Sequence, residues 1–323
     1  MEELPDWVKE FNSNNKADAY LNETWETLYD LETYTQSRAD NNIYENNLNG
    51  QEKPIFPKDL KKLREQNDNF SLIKTIPAGN TYTLDFIKAA IKGEQLGKSE
   101  FTDFLAVSFS STDYVGHRYG IASIETEDTY LRLDKDLGHF FNFLDTEVGK
   151  ENYTLFLTAD HAAVHVPSYL QSLKIPAHYL STKKLKKFLS DITQKYFNSK
   201  ELIENISNYQ IFLNQEKIEA LGFNKNTVAQ RLADEVLSFD KIYKAVTART
   251  LQTTNFTEGI MHALQQGYNP KFSGDVLMIP YPATLNYSRK GTSHGSGYSY
   301  DTHVPLIFYG NGIKKGASKK TYK

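Results

Sequence analysis

Phe104-Leu-Ala-Val-Ser-Phe109 and Tyr153-Thr-Leu-Phe-Leu-Thr158 are the two stretches on which the fold reading turns. Each is short, almost continuously apolar and rich in β-formers, the pattern of a strand buried on both faces. Between them, residues 124–148 place Leu133, Leu137, Phe140, Leu144 and Val148 at helical spacing. Strand, helix and strand within residues 104–158 predict a βαβ unit and a parallel sheet, hence an α/β class.

Outward from this unit the pattern changes. Toward the N-terminus, Leu4, Trp7, Val8 and Phe11, then Tyr20, Leu21, Trp25 and Leu28, predict two short amphipathic helices. Residues 33–80 are rich in Asn, Asp, Ser, Pro and Lys without a period and read as a long surface loop. Thr83 is placed to cap a helix running to about Gly97, with Leu84, Ile87, Ala90 and Ile91 inward. Toward the C-terminus, Leu185, Phe188, Leu189, Ile192 and Tyr196 predict one helix, and Val228, Leu232, Val236 and Leu237 another. Tyr209–Leu213 between them reads as an edge strand, and the Lys183, Lys184, Lys186 and Lys187 run as a solvated helix face. Apolar strands return at 276–279 and 304–309. The expected organisation is N-terminal helices and a long loop in 1–100, an α/β core in 101–165, a cap or insertion in 166–270, and a return to the core in 271–323.

Composition narrows the function classes. The 323 residues are 39% hydrophobic and carry 37 basic against 40 acidic side chains, a net charge of -3. That balance gives no electrostatic footprint for nucleic acid. The 21 Tyr and 19 Phe argue against disorder. No apolar run reaches the ~18 residues of a membrane helix, and the acidic start from Met1 is not a signal peptide. There is no cysteine, so disulfides, thiolate metal sites and cysteine nucleophiles are excluded within the chain.

Five of the eight histidines fall in three short segments, each adjoining a predicted strand: Ser110–His117, Leu157–His165 and Gly291–His303. In the first, Asp113 and His117 are one helical turn apart and share a face. In the second, Asp160 and His161 follow a strand directly, where open α/β sheets bind ligands. In the third, His294 lies in a glycine-rich loop that permits close backbone approach. Carboxylate oxygen and imidazole nitrogen are the donors that zinc accepts where sulfur is lacking. Each also has a plainer role open to it: Asp113 as a turn cap, Asp160-His161 as a polar loop start, His294 as a loop histidine. His165 reads as a loop or outer residue, and His303, in Asp301-Thr-His-Val-Pro305, as a rival to His294 or an outer partner. His139, His178 and His262 are assigned no chemistry.

The three segments in this order, Asp-x-x-x-His, Thr-Ala-Asp-His and x-His-Gly followed by Asp-Thr-His-Val-Pro, resemble the alkaline phosphatase superfamily. The chain looks most like its phosphate-irrepressible alkaline phosphatases, relatives of the type I phosphodiesterases/nucleotide pyrophosphatases. Leu4–Asn12 and Tyr20–Trp25 share in that likeness. The resemblance implies a sandwich with a mostly parallel central sheet flanked by helices, plus a cap. It implies Asp113, His117 and His294 as ligands of a first zinc (Zn2+) and Asp160 and His161 as two ligands of a second, with His303, Asp301 and His165 in outer positions. The implied activity is hydrolysis of small phosphate monoesters through a covalent phospho-threonine, in a periplasmic or secreted enzyme. The chain departs from the family in two places. Nothing in residues 1–100 matches the nucleophile, the N-terminal aspartate or the basic phosphate clamp, and Thr35, Thr81 and Thr83 do not follow a buried strand. All three elements are therefore expected upstream of Met1, and no catalytic nucleophile is assigned within the chain. Ala162 stands where relatives usually have Gly. The chain is accordingly expected to be a fragment, or a truncated product, of a longer exported enzyme and inactive alone, with a sheet edge and an apolar face left uncovered. Two alternatives remain: a phosphodiesterase or nucleotide pyrophosphatase of the same superfamily, and a non-catalytic domain that genuinely begins at Met1 and holds a single metal.

Overall fold

A computed structural model describes residues 3–320. Met1, upstream of which the nucleophile is expected, lies outside the described residues. The chain is mixed α/β and divides into two compact units, residues 1–160 with 304–323, and residues 161–303.

In the first unit, the two short helices that the apolar spacing predicts are α1 (Asp6–Ser13) and α2 (Lys16–Leu21), but the second stops at Leu21, so Trp25 and Leu28 lie outside it. A two-residue antiparallel ladder joins β1 (Thr24–Trp25) to β2 (Lys58–Asp59), and α3 (Leu60–Leu63) follows directly. The stretch 33–80 is thus not merely surface loop. It supplies Leu48, Leu60, Leu63, Leu72 and Ile76 to a core shared with Leu21, Trp25, Val115 and Tyr119. It also buries Lys58, whose Nζ lies 2.8 Å from Glu125 Oε1 with both side chains fully enclosed. The rings of Phe56, Tyr119 and Trp25 surround that ammonium.

The helix expected to start at Thr83 starts earlier, as α4 (Ala78–Gly93), because Pro77 already has a helical φ at its head. The Thr83 hydroxyl donates back to Gly79 O within that helix, at 2.9 Å. Next come α5 (Ser110–Tyr119) and α6 (Ile124–Leu144). Ser123 caps α6, its Oγ accepting from Thr126 N at 3.1 Å. Fully buried Asp128 accepts from Trp25 Nε1, Leu28 N, Tyr34 OH and Arg132 Nε, which is why a charge is tolerated there. Leu84, Ile87 and Ile91 of α4 pack on Phe140 and Leu144 of α6, a second core.

The unit ends in β3 (Thr154–Thr158) and β10 (Leu306–Gly310), paired antiparallel from Leu306↔Thr158 to Gly310↔Thr154. The parallel partnership anticipated between 104–109 and β3 is not made. Residues 104–109 belong to no strand among the described residues, and Phe104 is 80% exposed.

The second unit holds α7 (Pro167–Ser172), β4 (His178–Tyr179), α8 (Thr182–Phe197), β5 (Ile203–Ser207), β6 (Gln210–Leu213), α9 (Gln215–Ala220), α10 (Lys225–Val236), β7 (Ile242–Thr247), α11 (Ala248–Thr253), α12 (Gly259–Gln266), β8 (Val276–Pro280), β9 (Thr284–Leu285) and α13 (Ser299–Thr302). Four strands form one antiparallel sheet in the order β5-β6-β8-β7. The strand over 210–213 is therefore internal, not an edge. Every residue of β8 is buried. Leu185, Leu189 and Ile192 of α8 and Val228, Leu232 and Val236 of α10 pack against this sheet through Ile211, Val276 and Met278. The lysines of α8 face water, as their spacing predicts. The one parallel pairing among the described residues is β4 with β9.

Candidate metal centre

α5 presents the first pair of donors. Ser111, Val115 and Tyr119 recur every fourth residue and take the buried face. Asp113 and His117 each sit two residues further on, about 200° round the helix, and so come out on its open side. Asp113 Oδ2 lies 3.3 Å from His117 Nε2, with the side chains 40% and 24% exposed. Asp113 is in the first turn of α5, the end that favours its negative charge, and His117 is in the last.

The second pair belongs to the turn that leaves β3. Asp160 is exposed and His161 half-buried. His161 Nδ1 is 3.0 Å from Ala162 O, and Ala162 N donates to Asp301 O at 2.8 Å. The Ala162 amide is thus engaged, and its methyl leaves that bond intact. The His161 ring stacks on the His294 ring, with centroids 3.3 Å apart and planes 12° from parallel.

His294 is held by the loop around it. Thr292 Oγ1 donates to Val164 O at 2.5 Å. Asp301 is almost fully buried, and its Oδ2 accepts from Gly295 N, Ser296 N and Ser296 Oγ at 3.1, 2.8 and 2.7 Å. Gly295 has φ +119°, a conformation side chains rarely adopt, with open space where a Cβ would stand. Further along, Tyr298 OH donates to Pro280 O, and Tyr300 OH accepts from Ala283 N, both at 2.9 Å. Asp301 thus acts on the backbone around His294. His303 is exposed at the C-terminal cap of α13, its N–H bonded to Ser299 O. His165 is half-buried, its ring 5.9 Å from Tyr169. Sequence reading did not find Thr292 and Ser296. For Ser296 the available signal was a Gly-Ser pair ahead of Asp301, whose short carboxylate accepts readily from nearby backbone amides, whereas Thr292 left no local signal.

Two of the N-terminal threonines, Thr81 and Thr83, donate hydrogen bonds elsewhere in the chain. Thr81 Oγ1 donates to Asp136 Oδ2 at 2.7 Å, and Thr83 to its own helix.

A family model described as type I phosphodiesterase / nucleotide pyrophosphatase matches residues 5–303. The chain belongs to that family. It is 43% identical over 324 residues to a protein of Myroides odoratus named a calcium-transporting ATPase, covering 99% of this chain and 59% of that protein. It is 41% identical over 324 residues to the alkaline phosphatase PhoV of Synechococcus elongatus, covering 100% of this chain and 58% of the other. The crystal structure of wild-type alkaline phosphatase PafA superposes with a TM-score of 0.93 at 38% identity, over 100% of this chain and 61% of that one. The type I phosphodiesterase/nucleotide pyrophosphatase fold is therefore that of an alkaline-phosphatase-type relative. The chain spans about three fifths of the length of the relatives it matches. No helix among the described residues is long and apolar enough to cross a membrane.

Proposed function

We propose that this chain carries the metal-binding part of a zinc-dependent phosphomonoesterase that acts outside the cytosol. Asp113, His117 and His294 would hold one zinc, and Asp160 and His161 would contribute to a second. The observation that carries this reading is the 3.3 Å between Asp113 Oδ2 and His117 Nε2. Two ligands at the usual bond lengths of a tetrahedral zinc lie about 3.3 Å from one another. The stacked His161 and His294 rings suit ligands of two neighbouring metals, which such sites hold about 4 Å apart. When bound, the zinc pair supplies Lewis acidity toward the phosphoryl oxygens and a lowered pKa for the attacking oxygen.

The residues of this chain position those donors. Asp113 and His117 are fixed by one turn of α5, and His294 by the Asp301 clamp. The nucleophile, a threonine that forms a phospho-enzyme, is proposed to lie outside this chain, which spans only about three fifths of the length of its relatives. The purified chain is expected to bind zinc, to lose most of that binding in Asp113→Ala, and to turn over no p-nitrophenyl phosphate by itself. Substantial turnover by the chain alone, lost in Asp160→Ala, would place the nucleophile within it and refute that part of the reading. Failure to bind zinc would refute the whole.

A second reading, phosphodiester or nucleotide pyrophosphate cleavage, is favoured by the family the chain belongs to. One metal core serves both reactions, and the groups around the non-bridging oxygens decide between them. The name of the Myroides relative fits either reading, since ATP hydrolysis is also phosphoryl transfer to water. Rates on a phosphate monoester and a diester, measured with a nucleophile-containing form, separate the two.

A further inference from the structure

Three aromatic rings meet in the second unit where the edge strand β7 pairs with the end of β8. Tyr243 and Tyr281 have ring centroids 5.4 Å apart with planes 44° from parallel, and His178 stands edge-on to Tyr281 at 6.3 Å. The two tyrosines are 44% and 45% exposed. Their hydroxyls make no hydrogen bond among the described residues. The backbone is distorted at three points to hold these rings. β7 pairs Ile242 with Pro280 and Lys244 with Ile279, so Tyr243 is the extra residue of a bulge, the device that re-aims a strand side chain. Lys241 and Ala283 have φ +81° and +53°, left-handed values that residues other than glycine keep only where their surroundings over-determine them. Lys241 O accepts from Tyr281 N at 3.1 Å, and Ala283 O from His178 N at 2.9 Å. Each distortion therefore positions one ring.

The rim of this platform is polar and offers both donors and acceptors. Asp240, 80% exposed, is ion-paired with Lys241 at 2.7 Å, and Lys244 Nζ lies 5.1 Å from the Tyr243 ring. Burial, and then Lys241, hold His178 below its ordinary 6.5, with Asp240 opposing. Its imidazole is therefore neutral at neutral pH, with one nitrogen donating and the other accepting. Such a surface suits a ligand that is apolar on its face and polar around its edge. A pyranose with equatorial hydroxyls has that form, since its axial C–H bonds meet a ring face while its hydroxyls radiate to the rim. A nucleobase is flat and needs a parallel face, whereas these rings are tilted, and the Asp240 carboxylate would oppose the phosphate of a nucleotide. Three half-exposed rings also fall well short of the about 800 Å² that a protein partner covers.

We propose that Tyr243, Tyr281 and His178 form the floor of a binding site for an uncharged glycan. The tyrosines supply rigid contact area at little entropic cost, and the rim selects the pattern of hydroxyls. Pro280, whose carbonyl accepts from Tyr298 OH, immediately precedes Tyr281, so the platform shares an anchor with the loop that carries His294. None of the candidate metal donors belongs to the platform. A glycan held there would fasten the chain to a carbohydrate surface and leave those donors free.

The test uses the full chain in the presence of a chelator, with cellotriose and tri-N-acetylchitotriose as probes. Saturation-transfer NMR is expected to show at least one of them bound at millimolar concentration, with the strongest transfer to the axial ring protons. Calorimetry should give a dissociation constant that rises by about tenfold in Tyr281→Ala and changes little in Tyr281→Phe. Phe272→Ala removes an exposed ring outside the platform and should leave the constant unchanged. Should Tyr281→Ala disturb β8, Tyr243→Ala and the transfer pattern of the unmodified chain still decide. Four results would each overturn the proposal: neither sugar bound, binding unaltered in both alanine variants, adenosine bound more tightly than both sugars, or glucose 6-phosphate bound more tightly than cellotriose. The last would assign the rings to the leaving group of a phosphate ester instead. Because metal is withheld throughout, failure here is distinct from failure of the zinc assignment.

Discussion

Asp301 carries more of the candidate site than its position outside the ligand set suggests. One buried carboxylate oxygen holds two amides and a hydroxyl, and these fix the backbone on which His294 stands. Asp301→Asn keeps the size and loses the charge. It is expected to weaken zinc binding by about 10–100-fold, read by competition with a chelator, while the far-ultraviolet spectrum is unchanged. A second residue-scale effect concerns the enclosed charges near α5. Glu45 is held well above its ordinary 4.5, first by burial and then by the Glu125 carboxylate, with Asp40 adding to the rise and Arg38 and Lys58 opposing it. Burial likewise raises Glu125, against the opposing pull of Lys58. A carboxyl with a raised folded value favours the folded state most below its unfolded value, and that contribution is lost as pH rises through the folded one. Thermal stability should therefore fall as pH rises from about 4.5 to about 9, and Glu45→Gln should flatten that slope. Of these residues, sequence showed Asp113 and His117, because a helical repeat brings them together. It did not show that His161 meets His294, since no local period links positions so far apart.

Elements that carry a full apolar period were legible. α8 and α10 bury most of the residues their spacing selects, though Tyr196 and Leu237 stay exposed, and Leu232, fully buried in the larger core, is the test of that packing. Leu232→Ala is expected to cost about 2–5 kcal/mol in denaturant unfolding, from lost transfer energy and an unfilled cavity. What periodicity leaves open is the number of neighbours. The alternation at 210–213 identifies a strand, yet the same pattern suits an edge or an interior position, and β6 lies between β5 and β8. The apolar run 104–109 states what that segment would bury if covered, not that a partner is at hand. The reverse error arose at 33–80. There the burial is carried by isolated leucines and by Lys58, whose enclosure depends on aromatic rings and a carboxylate contributed by other parts of the chain. A non-periodic polar segment looks the same in sequence whether or not such partners await it.

For the whole molecule, a ligand that binds only the folded state stabilises it by mass action. Zinc at about 100 times its dissociation constant should raise unfolding stability by about 2.7 kcal/mol, and a chelator should reverse the gain. An unchanged melting temperature on chelation would count against a built metal centre. The α/β class and the family were both legible, because they rest on short motifs and apolar runs. The pairing of β3 with β10 was not, because periodicity names a strand and not its neighbour. That pairing also sets a timetable during synthesis. Residues 154–158 leave the ribosome before residues 161–303, yet the partner strand at 306–310 follows them. At about 5–20 residues per second, β3 waits roughly 7–30 s for its partner, while an entire second unit is translated and folds. Throughout that interval an uncharged, β-forming segment stands unpaired on the nascent chain. Slowing translation between codons 161 and 303 should therefore lower the soluble yield, and holdase chaperones should be found on the chain at this stage.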